Sequence, residues 1–94
     1  MSFRVRLTRA AEYDLIRLAA FLEEFSSETA DKGRSVLHTA IETLADMPER
    51  VNRVPGSDYR DLIAPFGAAG YAVRFRIDAE TVVILRIFHT REDR

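Results

Sequence analysis

Six side chains in the C-terminal half of the sequence, Arg60, Arg74, Arg76, Arg86, His89 and Arg91, are of types that hold anions or move protons. Arginine stays protonated at any useful pH and does not serve as a general base. Its chemistry is two-point binding of phosphate or carboxylate and stabilisation of developing negative charge. His89 alone among the six exchanges a proton near neutral pH. The plainer reading of the same residues is a solvated strand face, with Asp61 and Glu80 as counter-charges and His89 as a hydrogen-bonded structural histidine. No glycine-rich phosphate loop, paired-histidine metal spacing or nucleophile-elbow serine is present, so neither a metal nor a cofactor is expected. The absence of cysteine excludes a disulfide framework, a thiolate metal site and a cysteine nucleophile.

Elements that would carry these residues follow from the hydrophobic spacing. Phe3, Val5 and Leu7 alternate with Arg4, Arg6 and Thr8, the period of a strand with one buried face. Thr8 then caps a helix over Arg9 to Phe25, with Ala11, Leu15, Leu18, Ala19, Leu22 and Phe25 on one stripe. Ser26 and Ser27 recap the chain for a second helix, in which Ala30, Leu37, Ala40, Ile41 and Leu44 recur until Pro48 forbids continuation. Residues 48–57 read as loop. A strand over Tyr59 to Ile63 ends at Pro65, residues 66–70 turn, and Tyr71, Val73, Phe75 and Ile77 alternate with Ala72, Arg74, Arg76 and Asp78. The last strand, Val82 to His89, is apolar on both faces except at Arg86, as a central strand would be. The expected fold is α+β, ordered βααβββ, with a helical hairpin packed on a small antiparallel-rich sheet.

Register decides which cations share a face. With Ala79 and Glu80 as the turn, Ile77 faces Val82 and Arg74 faces Leu85, which joins Arg74 and Arg76 to His89 and sends Arg86 to the other side. A one-residue slip brings Arg86 to Arg74 and Arg76 and removes His89. Ala79-Glu80 lacks an Asn-Gly type of turn signal, so both registers stay open.

Ninety-four residues with 47% hydrophobic and 31% charged composition make one globular domain, residues 1–94. The net charge of −1 excludes a protein that binds nucleic acid through overall charge. Of fourteen basic residues only Lys32 is a lysine, a bias that an arginine-rich genome also explains. The N-terminus alternates apolar and charged residues, and no segment approaches a membrane span, so a cytoplasmic protein without membrane association is expected.

Taken in order, Phe3-Arg4-Val5-Arg6-Leu7-Thr8, the helical hairpin, Tyr59-Arg60-Asp61-Leu62, Gly70-Tyr71-Ala72-Val73-Arg74-Phe75-Arg76-Ile77 and Val83-Ile84-Leu85-Arg86-Ile87-Phe88-His89-Thr90-Arg91 resemble the RelE/ParE toxin superfamily over essentially the whole chain. The resemblance implies the toxin of a type II toxin–antitoxin, or plasmid-stabilisation, pair. Its partner would be a ParD-like, DNA-binding antitoxin, through which alone the toxin would meet DNA. RelE-like nucleases carry an arginine after the tyrosine of the Gly-Tyr pair, where this chain has Ala72, and a tyrosine beyond the Arg91 region, where it has none. Another branch ends its last strand in His-Tyr, whereas Thr90 follows His89 here.

The ending Ile87-Phe88-His89-Thr90-Arg91-Glu92-Asp93 is closer to the ParE-like branch, whose members poison DNA gyrase. The target-binding candidates are then Arg74, Arg76, Arg86, His89 and Arg91, acting by protein contact rather than catalysis. The alternatives are a metal-independent, ribosome-dependent mRNA endonuclease using Arg60, Arg74, Arg76, His89 and Arg91, and a harmless member that only forms a DNA-binding repression complex. A small core and alanine-rich helix stripes leave room for a partner's amphipathic segment, with Leu15, Leu18, Leu22, Leu37 and Ile41 as antitoxin-binding candidates.

Overall fold

The structure, a computed structural model, describes residues 2–67 and 69–90. Strand β1 (Arg4–Leu7) leads into helix α1 (Arg9–Glu23). The Thr8 hydroxyl accepts the Ala11 N–H at 3.1 Å and donates to the carbonyl of Leu85 at 2.9 Å. One side chain thus caps the helix and ties its start to the last strand. Ser26 caps helix α2 (Ser27–Thr43) in the same way, accepting from the Thr29 N–H at 3.0 Å. A single 3-10 turn, Pro48–Arg50, interrupts the expected loop before β2 (Arg60–Phe66), β3 (Ala69–Asp78) and β4 (Thr81–His89).

The sheet order is β1-β4-β3-β2, with β1 parallel to β4 and the other neighbours antiparallel. Both helices lie on one face. Ala11, Leu18, Leu22, Ala30, Leu37 and Leu44 of the helical layer enclose Tyr71, Val73, Phe75, Val82, Ile84 and Ile87 of the sheet. The fold class, element order and central position of the last strand agree with the hydrophobic spacing.

Three local features depart from it. Strand β2 runs through Pro65 to Phe66 instead of stopping, because β2 is an edge strand and a missing N–H costs nothing on its outer side. Pro65 pairs with Gly70, where a Cβ would stand 2.6 Å from the carbonyl oxygen of Ala64. That close backbone approach explains the glycine before Tyr71. Helix α1 also ends at Glu23, short of Phe25, which the hairpin bend carries outward.

The third departure decides the faces. Ile77 pairs with Val82 as expected for a turn at Ala79-Glu80, but the register shifts between Arg74 and Phe75, so that Phe75 pairs with Ile84 and Arg74 with Arg86. Leu85 is the extra residue of a β-bulge. The expected pairing of Arg74 with Leu85 is therefore corrected, and the bulge produces the outcome that a slipped turn would have produced. Arg74, Arg76 and Arg86 share the open face, and His89, opposite Tyr71, faces the helices.

Candidate functional site

The open face of the sheet carries a field of arginines. Arg6 pairs with Val83, which pairs with Arg76, and Arg74 lies between Arg86 and Asp61, so strand pairing sets the cations in two adjacent rows. Arg4 extends the field through its pairing with Thr81. Ala72, Val83 and Phe88 on this face are buried although both helices pack on the other side. The guanidinium carbons of Arg74 and Arg86 stand 5.0 and 5.8 Å from the Phe88 ring centroid. Arginine stems cover apolar surface while their heads remain at the water boundary.

Each cation is held differently. Arg74 grips Asp61 through two bonds, Nε to Oδ1 at 2.9 Å and Nη2 to Oδ2 at 3.1 Å, with its guanidinium carbon 4.1 Å above the Tyr59 ring. The hydrogen bond to Asp61, aided by its charge, holds the Arg74 guanidinium above its ordinary pKa. The Arg76 side chain, partly exposed, makes no hydrogen bond or ion pair among the described residues. Arg86 reaches back over the edge of β4 to Asp14 of α1, Nε to Oδ2 at 2.8 Å and Nη2 to Oδ1 at 3.1 Å.

Asp14 is a buried charged residue, 1% exposed, at a helix position where the apolar stripe calls for a core side chain. Besides Arg86 it accepts the Ile87 N–H at 2.9 Å and a bond from Arg17 at 3.3 Å. Strand β1 ends at Leu7 opposite Ile84, so the outer edge of β4 beyond it is unpaired, and α1 supplies the missing acceptor. Burial alone pushes the Asp14 carboxyl up. The Arg86 and Ile87 hydrogen bonds, the Arg86 charge and Arg17 together outweigh that and leave it below the ordinary carboxylate range. Sequence reading missed Asp14, for which the only signal was an acid interrupting the Ala11–Leu18 spacing. It also left out Arg4 and Arg6, because only the parallel pairing of β1 with β4 brings them to the face.

Two sequence-derived candidates stand apart from the arginine field. Arg60 turns its Nη1 to the carbonyls of Glu49 (3.2 Å) and Val51, fastening the loop before β2. His89 packs edge-on against Tyr71, ring centroids 5.7 Å apart, on the helix side of the sheet. Arg91 lies outside the described residues.

The helical side of the molecule carries an apolar groove. All five expected partner-binding residues, Leu15, Leu18, Leu22, Leu37 and Ile41, line one groove of about 600 Å³ between α1 and α2. Leu18, Leu22 and Leu37 form its buried floor, Leu15 and Ile41 flank it, and Ile16 is 68% exposed at its rim. Gly33 lets the helices approach, since a Cβ there would clash with Leu22 Cδ1 and sit 3.1 Å from the Tyr71 hydroxyl. Beyond the helical turn a second hollow of about 780 Å³ is lined by Phe21, Phe25, Phe66 and His89 among others. Tyr71 stacks on Phe66 beneath it, and burial pushes its phenol up.

Among the described residues no group of three histidine, aspartate or glutamate side chains converges to hold a metal, and no helix is long and apolar enough to cross a membrane. Two helices on a four-strand sheet, with an arginine-lined open face and an apolar helical groove, define a small α+β domain with two unlike surfaces. The chain belongs to the ParE toxin family: the model described as the ParE toxin of the type II toxin–antitoxin system parDE matches residues 5–94.

Curated relatives fall within the same superfamily. Toxin RelE1 of Caulobacter vibrioides is 32% identical over 94 residues, all of both chains, and toxin RelE3 of the same organism is 32% identical over 90 residues, 96% of this chain and 97% of that one. A structure described as the chromosomal ParDE system from P. aeruginosa superposes with a TM-score of 0.80 at 19% identity, covering 96% of this chain and 98% of that one. The RelBE2 toxin–antitoxin complex from Mycobacterium tuberculosis gives 0.59 at 28% identity, over 95% and 99%. The protein is thus the toxin component of a type II toxin–antitoxin pair, with an antitoxin as its partner.

Proposed function

We propose that this toxin acts in the cytoplasm by inhibiting DNA gyrase through protein contact, using the open arginine face, and that a ParD-like antitoxin neutralises it by seating an amphipathic segment in the α1–α2 groove. The observation that carries the reading is the separation of His89 from Arg74, Arg76 and Arg86 by the thickness of the sheet. Cations without an adjacent proton-transfer histidine suit recognition of an acidic surface better than phosphodiester cleavage. DNA contact belongs to the antitoxin in this reading.

The test is a gyrase assay with antitoxin-free toxin, scoring inhibited supercoiling and trapped double-strand breaks. Inhibition that falls on Arg76→Ala supports the proposal. Folded protein that leaves gyrase untouched contradicts it.

A second reading, ribosome-dependent mRNA cleavage, is favoured by the two RelE-named relatives and by the Tyr59 ring beneath Arg74, since aromatic and arginine planes together stack bases and hold phosphate. Cleaved transcripts in cells expressing the toxin, lost on Arg74→Ala, would select it. Growth unaffected by overexpression without antitoxin would instead mark a member confined to a repression complex.

A further inference from the structure

We infer that Asp14 is a positioning residue for the arginine face, holding the β4 bulge that delivers Arg86 to it. The inference rests on the proposal that this face engages the target. Residues 81–84 of β4 are held on both sides, by β1 and by β3, and their side chains alternate normally. After Ile84 the outer partner is gone and Leu85 is squeezed out of register. Without an external acceptor the Ile87 N–H would be an orphan at a residue that is fully buried.

Asp14 answers both ends of the irregularity at once. Its Oδ2 takes the Ile87 N–H at 2.9 Å and the Arg86 Nε at 2.8 Å, while Oδ1 takes the Arg86 Nη2 at 3.1 Å. The fork of a guanidinium matches a carboxylate in one orientation, so the bond fixes the Arg86 head as well as its backbone. Thr8, the N-cap of α1 six residues before Asp14, fastens the carbonyl of Leu85 at 2.9 Å, so the first turns of α1 hold the bulge at two points. Arg86 remains about half exposed, with its side chain at 48%, while Asp14 holds its guanidinium. A regular strand would return the pairing of Arg74 with Leu85 and send Arg86 toward the helices.

The experiment compares Arg86→Ala, Asp14→Asn and the double variant for growth arrest on induction without antitoxin. In parallel, NMR on each purified protein follows the Arg86 Nε–H signal and Ile87 amide exchange. Each single variant is expected to need about tenfold more toxin for arrest, and the double variant no more than either, because both remove one feature. The wild-type Arg86 Nε–H is expected to be slowed and displaced from the free-arginine position, and Asp14→Asn to abolish this and to speed Ile87 exchange beyond that of the remaining core.

Impaired Arg86→Ala beside a fully potent Asp14→Asn overturns the positioning role and leaves the arginine-face reading standing. Full potency of Arg86→Ala overturns the positioning role, because the side chain being positioned then contributes nothing, and leaves the arginine face to Arg74 and Arg76. A wild-type Arg86 signal at the free-arginine position overturns the inference without reference to any target, and still decides it should Asp14→Asn fail to fold.

Discussion

The two sides of this sheet solve opposite problems. On the helix side, Tyr71, Val73, Phe75 and Ile87 are covered by α1 and α2, and what stays open is an apolar groove that offers shape and area. On the other side no helix is packed among the described residues, and the guanidinium groups of Arg74 and Arg86 lie near the Phe88 ring. The difference teaches that one small domain can carry two surfaces with unlike physics: in the proposed reading, a non-directional, weakly salt-dependent seat for a helix-like segment, and a charged face whose recognition is electrostatic.

The largest expected effect comes from putting charge into the apolar seat. Ile16 is exposed in the free toxin, so Ile16→Asp should leave folding intact, yet burying an unpaired carboxylate against the antitoxin should weaken binding by about a hundredfold, near 2.7 kcal/mol. Isothermal titration with the antitoxin reads it, and unchanged affinity would remove the groove from the interface. Gyrase inhibition should stay at the wild-type level.

Next is the stability of the link between the two sides. Asp14→Asn disrupts a shared carboxylate and compromises the Ile87 N–H, a loss of about 2 kcal/mol once the half-exposed Arg86 is allowed to rehydrate. For a domain of this size that lowers Tm by about 8–16 °C. The sign with pH follows from a carboxyl depressed in the folded state: its contribution is complete above the unfolded value, near 3.8, and disappears as pH falls through the lower folded value. Melting curves of the two proteins should therefore be separated at pH 7 and converge only under acid conditions below about pH 4.

Salt offers a gentler separation. Raising ionic strength from about 0.05 to about 0.3 M shortens the Debye length and should weaken target engagement roughly tenfold while changing antitoxin affinity by less than about threefold. Equal responses would mean that the surfaces are not as different as their lining. The smallest effect is expected at the β3–β4 turn, where Ala79 is held at φ 54°. Ala79→Gly should stabilise by about 0.5–1 kcal/mol, seen in denaturant midpoints, and leave both binding activities unaltered.

Much of the helix side was legible in the sequence because a 3.6-residue stripe names its own buried positions. Leu15, Leu18, Leu22, Leu37 and Ile41 were found that way, and the structure gathers all five around one groove. The alternation in β3 likewise put Arg74 and Arg76 together. Alternation fails where a strand carries a bulge, and the exchange of His89 for Arg86 turned on one extra residue at Leu85, whose cause, Asp14, lies more than seventy residues away. Arg4 and Arg6 needed a non-local fact too, the parallel docking of β1 on β4. Arg60 was chosen for its type alone, and in the fold its Nη1 fastens two loop carbonyls, a contact that no local pattern announces.

The central claim is that the arginine face serves the target and the helical groove serves the antitoxin. Its most direct test is the triple variant Arg74→Ala, Arg76→Ala, Arg86→Ala, measured side by side for gyrase inhibition and for antitoxin affinity. The account predicts inhibition reduced by about a hundredfold or more with antitoxin affinity within about threefold of wild type. A folded triple variant that still inhibits gyrase, or one that loses antitoxin in proportion to inhibition, would contradict it.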